Sequence, residues 1–388
     1  MSPSRTIAGD GPTRVSTRAL GPDLARGVML VFIALANTHG FLHPAGVSVI
    51  RGIPIASSAA DRVVAFAETV LVDGRSYTMF AALFGYGMVQ ITRRQEGTGT
   101  PWPRTRALLR RRGRWLVLFG VAHAVLLYYG DILAAYGLLA LILASAVRHS
   151  NRRLLIGAGV WAVVGSVVYG FFASPMTPET ISQVYPWSTE ENPLLGAAFR
   201  LGGIIVSAPV LAVTAAAALL LGIWAAKHRL LEEPDRHLVL LRRIVVIGLP
   251  VAVLGGVPLA LYTSGIVAGP AQEVVPVAVL HSLTGFAGGP AYAALIALWA
   301  RKVRPNVVVT ALQATGQRSL TCYLLQSAVW AVAFFPWLLD LGHTMPLWQS
   351  AILAVVTWAV TVVIAELLRR GGYRGPFEVL LRRLTYRP

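Results

Sequence analysis

Residues 115–147 read WLVLFGVAHAVLLYYGDILAAYGLLALILASAV, two apolar runs that meet at Gly130 and Asp131. At roughly 1.5 Å per residue, each run covers most of the thickness of a bilayer core when helical. A break of one or two residues leaves no room for a soluble linker, so the pair predicts a tight transmembrane hairpin. Similar runs recur on either side, at about 24–42, 71–91, 154–174, 199–226, 244–262, 276–300, 318–339 and 346–368. With 55% of its 388 residues hydrophobic and 13% charged, the chain is expected to be an all-α, polytopic membrane protein of about ten transmembrane helices.

Basic residues orient this arrangement, because Lys and Arg accumulate in short cytoplasmic loops. With the N-terminus inside, only Arg51, Arg62, Arg75 and Arg200 of the 34 basic residues fall outside. Both termini are therefore expected in the cytoplasm. The same distribution accounts for the net charge of +17 without nucleic acid as a partner. The densest cluster, Arg104 to Arg114, fits a cytoplasmic loop, an anionic lipid headgroup or a phosphorylated donor.

Three regions follow. Residues 1–18 form a polar cytoplasmic tail with Arg5, Arg14 and Arg18 and no apolar h-region, so a cleavable signal peptide is not expected. Residues 19–370 form the helical membrane domain. Residues 371–388 place Phe377, Leu380, Leu381 and Leu384 at i, i+3, i+4 and i+7, with Glu378 and Arg382 opposite, which predicts an amphipathic helix at the interface. The lone cysteine, Cys322, permits neither a disulfide nor a cysteine-based metal site, and no metal is expected. HExxH, GxSxG, Walker and GxGxxG patterns lack a supporting context.

Ionisable groups at membrane depth cost about 2.5–3.5 kcal/mol each and call for a reason. His123 lies eight residues beyond Trp115, about 12 Å along the helix and near the midplane. It is either a base in a protein-lined cavity or an imidazole bonded to a carbonyl or a tyrosine. Asp131 is expected at the outer turn, capping the next helix, a role compatible with lining a site. Asp73 and Arg75, two apart, do not face each other on a helix, and Asp73 also suits an N-cap. Asn37, His39 and His281 sit toward outer helix ends, while Arg318, Tyr323 and Gln326 make a polar stripe on the ninth span. Asp23 and Arg26 stand at the cytoplasmic mouth, to meet a donor's phosphates or to pair with each other.

Several motifs carry a resemblance. DLARG at 23–27, YTMFAALFGYG at 77–87, GDILAAYG at 130–137, GQRSLTCYLLQS at 316–327 and GPFEVLLRRLT at 375–385 closely resemble the YeiB-like bacterial membrane proteins, catalogued as domain of unknown function 418. That family is likened both to transporters and to a transmembrane acyltransferase superfamily, which includes the lysosomal heparan glucosaminide acetyltransferase. The resemblance implies the bacterial inner membrane and acyl transfer from a cytosolic acyl-CoA co-substrate to a small-molecule, lipid or glycan acceptor, with no bound cofactor. Those enzymes use an outward-side histidine near the first helices, for which His39 and His123 are the candidates here.

The assignment expected on this basis is His123 as base, with Asp131 and Asp73 as its partners. Substrate contacts would come from Asn37, His39, Arg75, His281, Arg318, Tyr323 and Gln326, and donor contacts from Asp23 and Arg26. The alternative is a transporter or lipid-handling protein in which the same residues line a passage. The lack of recognisable inverted repeats tilts the reading toward the enzyme.

Overall fold

In a computed structural model the described residues are 20–386, apart from Ala45, Ser57 and Pro305. The polar tail, with Arg5, Arg14 and Arg18, lies outside them. The chain is helical nearly throughout: α1 (Leu20–Thr38), α2 (Ala59–Leu71), α3 (Ser76–Gly97), α4 (Trp102–Leu126), α5 (Ile132–Leu143), α6 (Asn151–Phe171) and α7 (Pro178–Val184) come first. Then follow α8 (Pro193–Lys227), α9 (Leu238–Thr263), α10 (Ala271–Ala300), α11 (Val307–Gln317), α12 (Ser319–Phe334), α13 (Leu347–Arg370) and α14 (Pro376–Tyr386). A small hairpin of β1 (Val49–Ile50) and β2 (Ile53–Pro54) follows α1.

Side-chain caps set many helix starts. Ser58, Asp131, Ser150, Asn192 and Asn306 each accept a backbone N–H from the first turn of α2, α5, α6, α8 and α11. Six segments are long and apolar enough to cross a membrane: Leu20–Phe41, Asn151–Phe171, Pro193–Lys227, Pro234–Thr263, Ala271–Ala300 and Leu347–Arg370. α6, α9 and α13 keep broad apolar faces exposed, with Val160, Val163, Val167, Val246, Leu254, Ile352, Val356 and Val363 among them. Surfaces of that extent in water would aggregate; against lipid chains they are the expected exterior.

Inside, helices meet through small residues that let backbones approach closely. A Cβ on Gly222 of α8 would lie 1.9 Å from the Ala82 carbonyl of α3, and one on Gly85 2.2 Å from the Leu219 carbonyl. α1 meets α11 in the same way, since a Cβ on Gly27 or Gly316 would strike the backbone of Leu312 or Asp23. Two of the quoted motifs, DLARG and GQRSLTCYLLQS, are therefore two sides of one contact.

The structure departs from the sequence reading in four places. The stretch 43–70, expected as a loop, contains α2, which packs on α9 and α13. The stretch 301–318, also expected as a loop, contains α11 against α1. The arginine-rich stretch is the first half of α4, because arginine is a good helix former and nothing from 102 to 126 breaks the helix. Glu378 does not pair with Arg382; its Oε1 accepts the Leu320 N–H at 2.7 Å and the Thr321 N–H at 3.1 Å, capping α12. The predicted terminal helix is present as α14 and packs on α4 and α12, burying Leu381 and Thr385.

Candidate active site

α4 and α5 form the expected hairpin, joined by residues 127–131. Glycines on both helices set its closeness. A Cβ on Gly137 would sit 2.6 Å from the Gly113 carbonyl, and one on Gly120 2.3 Å from both the Ala134 nitrogen and Asp131 Oδ1. At the tip, His123 Nδ1 and Asp131 Oδ2 are 2.7 Å apart, both side chains almost fully buried. Asp131 Oδ1 accepts the Ala134 N–H at 2.7 Å, so one carboxylate caps α5 and orients an imidazole. His123 Nε2 has no hydrogen-bond partner among the described residues. An imidazole held through Nδ1 by a carboxylate, with Nε2 open, is the arrangement that general bases use in acyl transfer.

Two expectations are corrected here. α4 begins at Trp102 instead of Trp115, which puts His123 in its last turn and not at mid-helix. Asp131 is fully buried and not at a surface turn, because the segments after α1 and around Phe334 cover the hairpin: Phe41 packs on Tyr128 at 4.9 Å and on Phe334 at 5.5 Å.

A cavity of about 780 Å³ opens at the opposite, basic end of the bundle. Arg26, Arg93, Arg112, Arg229, Arg318 and Arg374 are among the residues at its rim, and its depth is apolar, with Leu30, Phe80, Leu116 and Leu133. It reaches Tyr136 and Tyr323. The Tyr323 ring lies 5.0 Å from the His123 ring, and its hydroxyl is 3.4 Å from Asp131 Oδ2. The cavity thus ends one side chain short of the histidine. Asp23 and Arg26 line it and pair with each other, Arg26 Nη1 to Asp23 Oδ1 at 3.2 Å. At the same rim, the hydrogen bond from Arg229 holds Glu233 below the usual carboxylate range.

Other predicted residues fall elsewhere. Asp73 is not a partner of His123 and caps no helix; Arg75 occupies the N-cap position of α3. Asp73 instead accepts a hydrogen bond from the Tyr169 hydroxyl and lies 3.6 Å from His281 Nε2. Arg75, fully buried, reaches the His281 ring at 2.8 Å, the Asp73 carbonyl at 2.8 Å and the Ala252 carbonyl. Gly256 and Gly288 make room for it, since a Cβ on either would meet the Arg75 side chain within 2.7 Å. His39 pairs with Glu68 at 3.1 Å, and Gln326 approaches Thr361 at 3.5 Å. Arg318 is at the cavity but spends two donors on the carbonyls of Ala314 and Tyr373. Asn37 is half-buried on α1.

Sequence reading missed Arg51 and Tyr136. Arg51 occupies the β1–β2 turn with φ +57°, followed by Gly52 at +76°, the turn geometry that suits a tight hairpin. Its guanidinium lies 4.1 Å over the Tyr169 ring and faces the Asp73 cluster. Tyr136 donates to the Tyr77 carbonyl at 3.3 Å, linking α5 to α3. Gly52 directly after Arg51 was the local signal for this turn. Tyr136 lies in the GDILAAYG motif, but the spacing does not show its bond to Tyr77.

These features define a class: a helical membrane protein with a buried His–Asp pair behind an arginine-rimmed cavity. Residues 225–388 match the family model described as "Protein of unknown function (DUF418)". The chain is 26% identical over 413 residues to the uncharacterized protein YxaH of Bacillus subtilis (strain 168), across 97% of this chain and 96% of that one. It is 26% identical over 395 residues to the uncharacterized protein YeiB of Escherichia coli (strain K12), across 94% and 95%. The family match over residues 225–388 and the similarity along nearly the whole chain to YxaH and YeiB support a YeiB-like DUF418 family.

Proposed function

We propose that this protein is an acyltransferase of the bacterial cytoplasmic membrane, with ten crossings and both termini inside. It moves an acyl group, acetyl in the simplest case, from an acyl-CoA donor to a hydroxyl or amine acceptor. The observation that carries this reading is the His123–Asp131 pair with its open Nε2, set one tyrosine beyond the blind end of the basic cavity.

The donor's phosphates sit among the rim arginines and its thin arm runs down the apolar depth, a volume within the usual range for small-ligand sites. Tyr323 swings aside to bring the thioester to His123. The acceptor's O–H or N–H gives its proton to His123 Nε2 as the new bond to the acyl carbon forms. The C–S bond then breaks, and the departing thiolate takes that proton back. Asp131 keeps the imidazole in the right tautomer and stabilises its protonated form.

The test is incubation of purified protein with labelled acetyl-CoA and membrane extract. Label should move to an extract component with the unaltered protein, and His123→Ala should abolish transfer at normal expression. Flux of solute through liposomes with no label transferred would overturn the reading in favour of transport.

A further inference from the structure

Two loops almost three hundred residues apart in sequence meet at the end of the bundle away from the basic rim. The His43 N–H donates to the Gly342 carbonyl at 3.0 Å, tying the segment after α1 to the 3₁₀ turn Leu341–His343 that precedes α13. Three side chains converge on this junction. The rings of His43 and His343 meet edge to face at 4.4 Å, and His343 Nε2 lies 3.7 Å from Asp340 Oδ1. One nitrogen or oxygen from each of the three lies within 4.8 Å of the other two.

The local backbone is shaped to bring them there. Asp340 has φ +48°, the left-handed conformation. Gly342 leaves the His43 ring its place, since a Cβ on it would come within 2.6 Å of His43 Cε1. Even so, His43 Nε2 and Asp340 Oδ1 are both buried atoms with no hydrogen-bond partner among the described residues. A carboxylate oxygen and an imidazole nitrogen left without a hydrogen bond at the same point are costly unless a positive group lies between them.

We propose that His43, Asp340 and His343 bind one divalent transition-metal ion, with zinc as the type. Two imidazoles and one carboxylate are a zinc donor set, whereas magnesium and calcium take oxygen ligands. Bonds of about 2.0–2.2 Å place tetrahedral ligands roughly 3.4 Å apart, so the His343–Asp340 pair closes by a few tenths of an ångström. The Asp340 and His343 side chains are 41% and 35% exposed, so an ion can reach the junction from solvent. The ion staples the loop after α1 to the loop before α13. This site is independent of the acyl-transfer reading.

Protein carrying no polyhistidine tag, stripped with a chelator and then dialysed, is titrated with zinc chloride, with melting temperature followed in detergent. The unaltered protein should bind one zinc tightly and melt at a higher temperature with zinc, an effect reversed by chelator and not reproduced by magnesium or calcium. Asp340→Asn and His343→Gln, at partly exposed positions that tolerate change, should each weaken zinc binding at least tenfold and cancel the rise in melting temperature. Cobalt in place of zinc should give visible absorption bands that the variants lose. Equal zinc affinity in the unaltered protein and the Asp340→Asn/His343→Gln double variant, or an equal rise with magnesium, would overturn the site.

Discussion

At the scale of single residues, Asp131 carries two duties with its two oxygens. Oδ1 caps α5 and Oδ2 holds His123. Asp131→Asn separates them: the amide oxygen still caps Ala134, while the charge that fixes the imidazole is lost. The melting temperature should change little. The transfer rate should fall by about 10²–10⁴, the upper figure being the loss from the same change in the serine-protease triad. Single-turnover transfer measured beside thermal melting checks this, and an unchanged rate would remove the pair from catalysis. Arg75 shows the opposite economy. It looked like a substrate contact in the sequence, yet its two Nη groups are committed to His281 and to the carbonyls of Asp73 and Ala252. A fully buried guanidinium with that many partners holds helices together.

At the scale of elements, the hairpin depends on the missing side chain of Gly120. A methyl there strikes the Ala134 nitrogen and Asp131 Oδ1, neither of which can retreat without opening the α4–α5 contact. Gly120→Ala should destabilise by about 1–3 kcal/mol and lower activity as His123 and Asp131 separate. Gly159→Ala on α6, where nothing lies within 4 Å, should be neutral or stabilising by up to about 1 kcal/mol. Comparing the two melting temperatures tests whether packing, and not helix propensity, makes the difference. The hairpin, the long apolar helices and α14 were legible because their signals are local: run length, a cap, a heptad-like spacing. α2 and α11 were not, because 13 and 11 residues of modest hydrophobicity become helices by packing on α9 and α1. For the site, the pairing of His123 with Asp131 lay within one hairpin and could be suspected. That of Asp73 with Tyr169 and His281 joins segments 96 and about 200 residues apart, and spacing carries no trace of it.

At the scale of the whole molecule, the distribution of arginine predicts the side on which each end lies. Cys322, the single cysteine, is buried, and its replacement by alanine leaves a background for labelling. Arg152→Cys, in the first turn of α6, and Glu191→Cys, in the loop before α8, are at exposed positions. With a membrane-impermeant maleimide on intact cells, Glu191→Cys should react and Arg152→Cys should react only after permeabilisation. The reverse pattern would invert the topology, and identical behaviour would mean that α6 does not cross.

The cap that Glu378 places on α12 also sets an order of assembly. α12 carries Tyr323, the residue between the cavity and His123, but the carboxylate that satisfies its first N–H groups emerges from the ribosome 58 residues after Leu320. Val379, Leu381, Arg382 and Tyr386 complete the same cavity wall. Until α13 has inserted and α14 has folded back, the chamber has neither its last wall nor a fixed Tyr323. A nascent chain therefore lacks the finished cavity until nearly all of its helices are in place.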